Sequence, residues 1–383
     1  ADVVIIGGGI IGAACGYYLS ESGLNVHLLE RHFPASGSSR ACDGLILLWD
    51  KSGPELALGL KSFKLWHQLN EELEKDFSFE RSGTIFLAET EDQFRAGATK
   101  VASLRDAGQK AETLSPKALC NLEPRLTPDL AGGAFFPDDL QLDPRQATLA
   151  ILAAAQRQGL TLHTNQEVLG IQQSHENKGE VHGVITIQSE ISTPKVICAA
   201  GVWSRQVAQM VGLDLPIRPR KGHILVTAKR PSFLQYPILE GGYVTTVEAA
   251  EEELQVALVV EMTKTGTLLV GSSREFCGFD RAVSQTVIQA IAKRGRRFLP
   301  ELATIPVIRS YAGLRPWTPD GLPLIGPTKI PGFFIATGHE GAGICLAPIT
   351  GKAIAGWITG NNFLPEAKAA DPRRLRKDSD SSH

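Results

Sequence analysis

The sequence lacks several features that would each have pointed to a function class. Its 383 residues carry 39 lysines and arginines against 41 aspartates and glutamates, a net charge near −2. Non-specific nucleic-acid binding needs a strong basic excess, so that partner class is set aside. No apolar run approaches the roughly 20 residues that span a bilayer. No secretory signal is read at the start, so an integral membrane segment is not expected. The six cysteines (Cys15, Cys42, Cys120, Cys198, Cys277 and Cys345) are scattered, without CxxC or Cys/His spacing. Zinc and iron–sulfur ligation have no support, no metal is expected, and the thiols read as free in a reducing cytoplasm. Neither a solenoid repeat nor a catalytic triad is present. What remains is an ordinary globular composition, 43% hydrophobic and 21% charged, long enough for one large or two interleaved domains.

The positive signals begin at once, with "ADVVIIGGGIIGAACGYYLSESGLNVHLLERH". Val3 to Ile6 reads as a buried parallel strand. Gly7, Gly9 and Gly12 then supply G-x-G-x-x-G, with Ile10 and Ile11 opening a helix to about Ser22 that Gly23 ends. The first glycine permits the tight turn, the second lets backbone approach a pyrophosphate, and the third lets helix pack on strand. A second strand, Val26 to Leu29, leads to Glu30, whose carboxylate suits ribose hydroxyls and would repel a 2′-phosphate. FAD and NAD both satisfy this pattern. "HFPASGSSRACDG" follows as a flexible polar loop, in which Ser38, Ser39 and Arg40 could reach a pyrophosphate or a flavin edge.

Two later segments repeat the strand–small-residue–helix logic. Val196 to Cys198 precede Ala199, Ala200 and Gly201, with a helix from about Trp203. Phe333 to Ala336 precede the loop Gly338-His339-Glu340-Gly341-Ala342-Gly343 and a helix from Ile344 to Ile358. A glycine-rich helix start offers free N–H groups and a positive dipole end, suited to the pyrimidine carbonyl of a reduced flavin.

With "VICAAGVWS", "GLRPWTPDGLPLIGP" and "ATGHEGAGICLAPITGKAIA" in this order, the chain resembles the FAD-dependent oxidoreductases of the D-amino-acid oxidase superfamily, the group of glycine and sarcosine oxidases. "KGHILVT", "GSSREFCGFDR" and "GHEGAG" look most like flavin subunits of opine oxidases, hydrogen cyanide synthase and (hydroxy)proline dehydrogenases. The resemblance implies FAD, held also by Arg31 and Val168. It implies that Arg315, in the matching Gly-x-Arg-Pro stretch, binds a substrate carboxylate. Tyr243 is expected to add a hydrogen bond to that carboxylate, and His339 to contact substrate or tune proton release. Sarcosine oxidases of the monomeric type attach flavin through a cysteine, and "RSYAGLRPWTPDG" has none, so non-covalent FAD is expected. Arg274 and Glu275 read as a strand-end ion pair.

The expected fold class is α/β, with a discontinuous Rossmann-like FAD-binding domain (1–80, 145–215, 320–364). A mostly antiparallel α+β substrate domain takes 81–144 and 216–319, built on "HILVTA", "GYVTTV", "LQVALVV" and "GTLLVGS". "SGPELALGLKSFKLWHQLNEELEKD" has helical spacing with Leu56, Leu60, Phe63 and Trp66 among its apolar positions. Asp143 is an N-cap with Pro144 at the first helical position, "HENKGEV" is a turn, and the tail 365–383 is loosely attached or disordered. The expected activity is FAD-dependent oxidation of a small amino acid or secondary amine to an imine. A flavin monooxygenase or hydroxy-acid oxidase is the first alternative. A subunit working only with partners that carry flavin or iron–sulfur centres is the second, and an NAD dehydrogenase the third. A cytoplasmic location follows, with membrane association only through partners.

Overall fold

The computed structural model describes residues 1–74, 76–174, 179–243, 253–361 and 364–375. Among these, two large sheets organise the chain. The first has the strand order 324–327, 333–337, 196–198, 3–6, 26–30, 161–164, and all neighbours are parallel except the first pair. Val3–Ile6 lies at its centre because all four of its side chains are buried, as a strand covered on both faces requires. The chain leaves this strand in one direction to Val26–Glu30, and Val196–Cys198 pairs on the other side. That divergence opens a crevice at the carboxyl ends of the strands, where ligands of doubly wound sheets bind.

Helix Ile10–Glu21 covers the sheet and is buried almost all round, because helices Pro144–Arg157 and Gly343–Thr359 pack against it. Pro144–Arg157 starts as its sequence predicts, with the Asp143 carboxylate accepting the Gln146 N–H at 2.9 Å. Helix Gly53–Glu72 forms where its spacing predicts one. Leu58, Leu65, Trp66 and Leu69 are buried, while Leu56, Leu60 and Phe63 are only half-buried along its flank. A polar anchor sets this rotation. Pro348 inside helix Gly343–Thr359 has no N–H to give Ile344 O, four residues back. Trp66 Nε1 donates to that carbonyl at 3.0 Å, and Ser62 Oγ donates to the next, Cys345 O, at 2.6 Å.

The second sheet has eight strands, in the order 307–317, 218–227, 268–274, 255–262, 238–240, 84–88, 132–136, 112–114. All its pairings are antiparallel except that of 238–240 with 84–88. Helix Gln285–Phe298 buries Val287, Ile291 and Phe298 against it, in an apolar cluster separate from that of the first sheet. The fold class is therefore the expected one. Of "GYVTTV", Gly242 and Tyr243 have helical rather than strand backbone, and 244–247 lie outside the described residues, as does most of "HENKGEV".

The tail expectation needs correction up to Leu375. Two short 3-10 turns, Pro365–Ala370 and Pro372–Leu375, dock on the first sheet's flank with Ala367 and Ala370 buried. Arg374 fixes them, donating to Asp320 at 2.8 Å and to the Leu322 and Pro323 carbonyls. The basic residues that look like a solvated terminus in sequence serve here as a clamp; 376–383 lie outside the described residues. No helix among the described residues is long and apolar enough to cross a membrane.

Trp66→Phe keeps the ring and deletes the donor, leaving Ile344 O buried and unpaired. It should cost about 1–3 kcal/mol in urea unfolding; an unchanged midpoint would show that the carbonyl finds another partner.

Candidate active site

A cavity of about 590 Å³ runs from the glycine turn after the first strand to strand Val307–Trp317. At its start, Gly7 has φ +116°, and a Cβ there would stand 2.5 Å from Ala199 O, so the turn tolerates no side chain. Glu30 ends the second strand, and its carboxylate accepts Gly8 N–H at 2.8 Å and His32 N–H at 2.9 Å. The polar loop is built rather than flexible. Ser38–Arg40 forms a 3-10 turn in which Ser39 Oγ accepts Ile10 N–H at 3.0 Å and Ser38 Oγ donates to Leu314 O at 2.5 Å. These contacts tie the helix start to the strand that carries Arg315.

Most of the expected cofactor residues line this one cavity: Gly7, Gly9, Ile10, Ile11, Glu30, Arg31, Ser38, Ser39, Arg40, Val168, Ala199, Ala200, Gly201, Trp203, His339, Glu340, Gly341, Gly343 and Ile344. Arg31 stacks its guanidinium 4.1 Å from the Trp203 ring. Three expected residues do not face it. Gly12 is pressed against Gly7 O, Gly338 takes a positive φ of 80° beside Thr318, and Ala342 is buried ahead of the last helix. Their part is to shape the two turns.

Arg315, Tyr243 and His339 line the same cavity. Arg315 faces Arg220 in the register of strands Arg218–Thr227 and Val307–Trp317, and its guanidinium lies over Gly222, where a Cβ would come within 2.3 Å of Nη1. Its Nη1 donates to Ser273 O at 3.0 Å. Burial raises the Tyr243 hydroxyl above its ordinary range although Arg274 opposes this, so it stays a donor at neutral pH. His339 is buried, which lowers its imidazole to about 3 and keeps it neutral. Thr350 Oγ1 spends its proton on Leu346 O, so His339 Nε2, 2.9 Å away, is the donor to Thr350. This imidazole is therefore not a charged proton source.

Glu340 is the centre of the charge arrangement. Its Oε1 lies 3.6 Å from Arg274 Nε, 3.8 Å from Arg220 Nη1 and 3.9 Å from Arg315 Nε. Burial works to raise its carboxyl, but the guanidiniums of Arg274, Arg315 and Arg220 hold it below the usual range. Three cations around one carboxylate leave this end of the cavity net positive, as an anionic ligand group requires. Arg274 and Glu275 do not pair with each other, contrary to the sequence reading. Neighbours on a strand point to opposite faces. Glu275 meets Lys221 at 3.2 Å, while Arg274 turns inward and sits 4.6 Å from the Tyr243 ring.

A dinucleotide cradle at a strand crevice, a helix start at its far side and a guanidinium facing the space between constitute the pattern that the comparisons then settle. The family model "FAD dependent oxidoreductase" matches residues 2–357. The chain belongs to that family. Glycine oxidase of Geobacillus kaustophilus is 30% identical over 92% of this chain and 92% of its own. Hydrogen cyanide synthase subunit HcnC of Pseudomonas protegens is 29% identical over 91% and 90%. The crystal structure of the G. kaustophilus glycine oxidase superposes with a TM-score of 0.88 at 27% identity, covering 98% of this chain and 99% of that one.

The residues present fit the family's FAD. The Gly7 turn, Glu30, Ser39 and the Ala199–Gly201 turn form a cradle at one end, and Gly343 and Ile344 bring the start of the last helix to the cavity wall at the other. Sequence reading overlooked Arg220 and Asp43 and gave Arg274 only a strand-end ion pair. Arg220 carried no sequence signal, since only the strand register sets it opposite Arg315. Asp43, which also lines the cavity, sits only three residues beyond Arg40.

Glu340 titrates below its unfolded value, so its contribution to stability is present above that value and is lost as pH falls through the depressed folded one. Glu340→Gln should cost about 3 kcal/mol at pH 7 by leaving buried cations uncompensated. The gap from wild type in urea unfolding should close below the ordinary carboxylate range; a pH-independent gap would count against an ionised Glu340.

Proposed function

We propose that this FAD enzyme oxidises the C–N bond of a small amino acid or secondary amine bearing a carboxylate, to an imine that water hydrolyses. The observation that carries this reading is Arg315, whose guanidinium lines the cavity at its net-positive end. A guanidinium matches a carboxylate bidentately and holds its charge at every working pH. Tyr243, kept protonated, adds a second donor on the same cavity wall. Neutral His339 shapes the loop and offers no charge to a carbanion or alkoxide. FAD, when bound, supplies the two-electron oxidation; the chain's part is to orient the substrate and exclude water. We take the flavin to be non-covalent. Cys42 lines the cavity, but burial raises its thiol well above the ordinary range, so it is not a ready nucleophile.

The glycine oxidase relative supports an amino-acid substrate, and proline or hydroxyproline isomers, opines, glycine and sarcosine form the test panel. Residues 1–80, 145–215 and 320–364 would hold the flavin and 81–144 with 216–319 the substrate. The relative named as a hydrogen cyanide synthase subunit supports work alongside partner subunits, which may be separated from self-sufficiency by whether the purified chain consumes oxygen or reduces only a dye.

Anaerobic bleaching of the flavin by members of the panel, with imine or ammonia release, is the expected result; hydroxylated product or oxidation of hydroxy acids alone would overturn the reading. Arg315→Leu should retain flavin absorbance and weaken substrate saturation roughly 10–100-fold, the loss of a charged hydrogen-bonded pair. Unchanged saturation would remove Arg315 from substrate binding.

A further inference from the structure

Among the described residues, four carboxylates line the cavity: Glu30, Asp43, Glu167 and Glu340. Glu30 is occupied by two backbone N–H groups at the first glycine turn, and Glu340 is surrounded by guanidiniums. Glu167 stands beside Val168 at the nucleotide end. Asp43 is placed otherwise, and its neighbours on both sides locate it. Ala41 packs on Gly313, two residues from Arg315 on the same strand face, so closely that a Cβ on Gly313 would meet Ala41 O at 2.8 Å. Gly44 donates its N–H to Glu261 at 3.3 Å, and Glu261 is also held by Gln141 Nε2 at 3.1 Å. The segment is thus pinned between strands Val307–Trp317 and Gln255–Met262, with Asp43 between the pins, lining the cavity as Arg315 does and within reach of its charge.

We infer that Asp43 is a catalytic residue: its carboxylate binds the substrate's amine while Arg315 binds the carboxylate, and it takes the proton the nitrogen must lose before oxidation. The inference rests on the functional reading above and adds the group that recognises the amine. In the step, an N–H bond of the substrate ammonium breaks, its electron pair stays on nitrogen as the lone pair, and the proton forms an O–H bond on Asp43. The substrate is then a neutral amine with its carboxylate still paired to Arg315, and no redox change has occurred. A zwitterionic amino acid meets opposite charges at both ends, whereas a hydroxy acid offers Asp43 only a neutral hydroxyl donor in place of a cation. The site therefore selects amines over hydroxy acids.

The charges around Asp43 suit this task. Burial raises its carboxyl above the ordinary range, with Arg315 first and Arg274 next among the charges opposing that rise and Asp50 adding to it. Behind it, burial and the Asp43 charge push the Glu261 carboxyl well up, which disfavours a second anion there. The hydroxyls of Tyr243 and Tyr311 and the Cys42 thiol, also raised by burial, complete its titratable surroundings as neutral groups. The carboxylate form exists only above the raised value, so amine capture strengthens as pH rises through it.

The test uses the FAD-loaded protein and whichever panel amine reduces its flavin anaerobically, with the corresponding des-amino carboxylate as a competitor that cannot be oxidised at that centre. In Asp43→Asn, the competitor should bind as in wild type, while the amine's dissociation constant, read from the saturation of flavin reduction, rises about tenfold or more. The rising limb of reduction efficiency with pH should move up by about one unit or more, toward the amine's own titration, because water must now take the proton. Asp43→Ser serves the same comparison if the Asn variant does not hold flavin. Unchanged amine binding with an unchanged pH limb overturns the inference, as does an equal loss for amine and competitor, which would mark a purely structural carboxyl. If no carboxylated amine reduces the wild-type flavin, the functional reading itself fails first and takes this one with it.

Discussion

Glu340 and its three arginines are the constraint on which the site depends. Arg220, Arg274 and Arg315 come from three adjacent strands of the eight-stranded sheet, and Glu340 from the loop that starts the last helix of the nucleotide-binding layer. One carboxylate thus joins the two sheets at the cavity and permits three like charges to stand close together. Without it, burial and mutual repulsion would weigh on each guanidinium; Arg220 is already lowered to about 10 by burial, with Arg274 and Arg315 adding to the effect. The Glu340 N–H donates to Pro316 O at 3.0 Å, so backbone as well as charge fixes the loop beside Arg315.

The helical layer solves a related problem by other means. A proline in the middle of helix Gly343–Thr359 frees a carbonyl at the end nearest the cavity, and Trp66 from helix Gly53–Glu72 fills the gap. The helix start, Gly343 and Ile344, lines the cavity while its first carbonyls are anchored from the side. A local backbone defect becomes the point that sets how two helices meet. The buried face of Gly53–Glu72 accordingly carries Ser62 and Trp66 together with Leu58, Leu65 and Leu69.

Much of the fold was legible in the sequence. The first strand, glycine turn, helix and second strand, the Asp143 cap with Pro144, and the late strand–loop–helix all stand where their patterns put them. Arg315 and Tyr243 were legible as cavity residues through a family likeness. The errors have a common origin. Arg274 was paired with its sequence neighbour, and the segment through Arg374 was read as loose. Each depends on contacts with residues far along the chain, where periodicity and composition carry no signal.

The sequence by itself determined the nucleotide cradle, because its demands are local: a positive φ at Gly7, bare backbone at Gly12, an acid at the end of the next strand. Tertiary structure alone decided how the charges gather at the other end of the cavity. Arg220, Arg274, Arg315 and Asp43 converge only through the register of paired strands and the packing of Ala41 on Gly313. A one-residue slip turns every side chain of a strand to the opposite face, so no property of the separate segments could have specified that convergence.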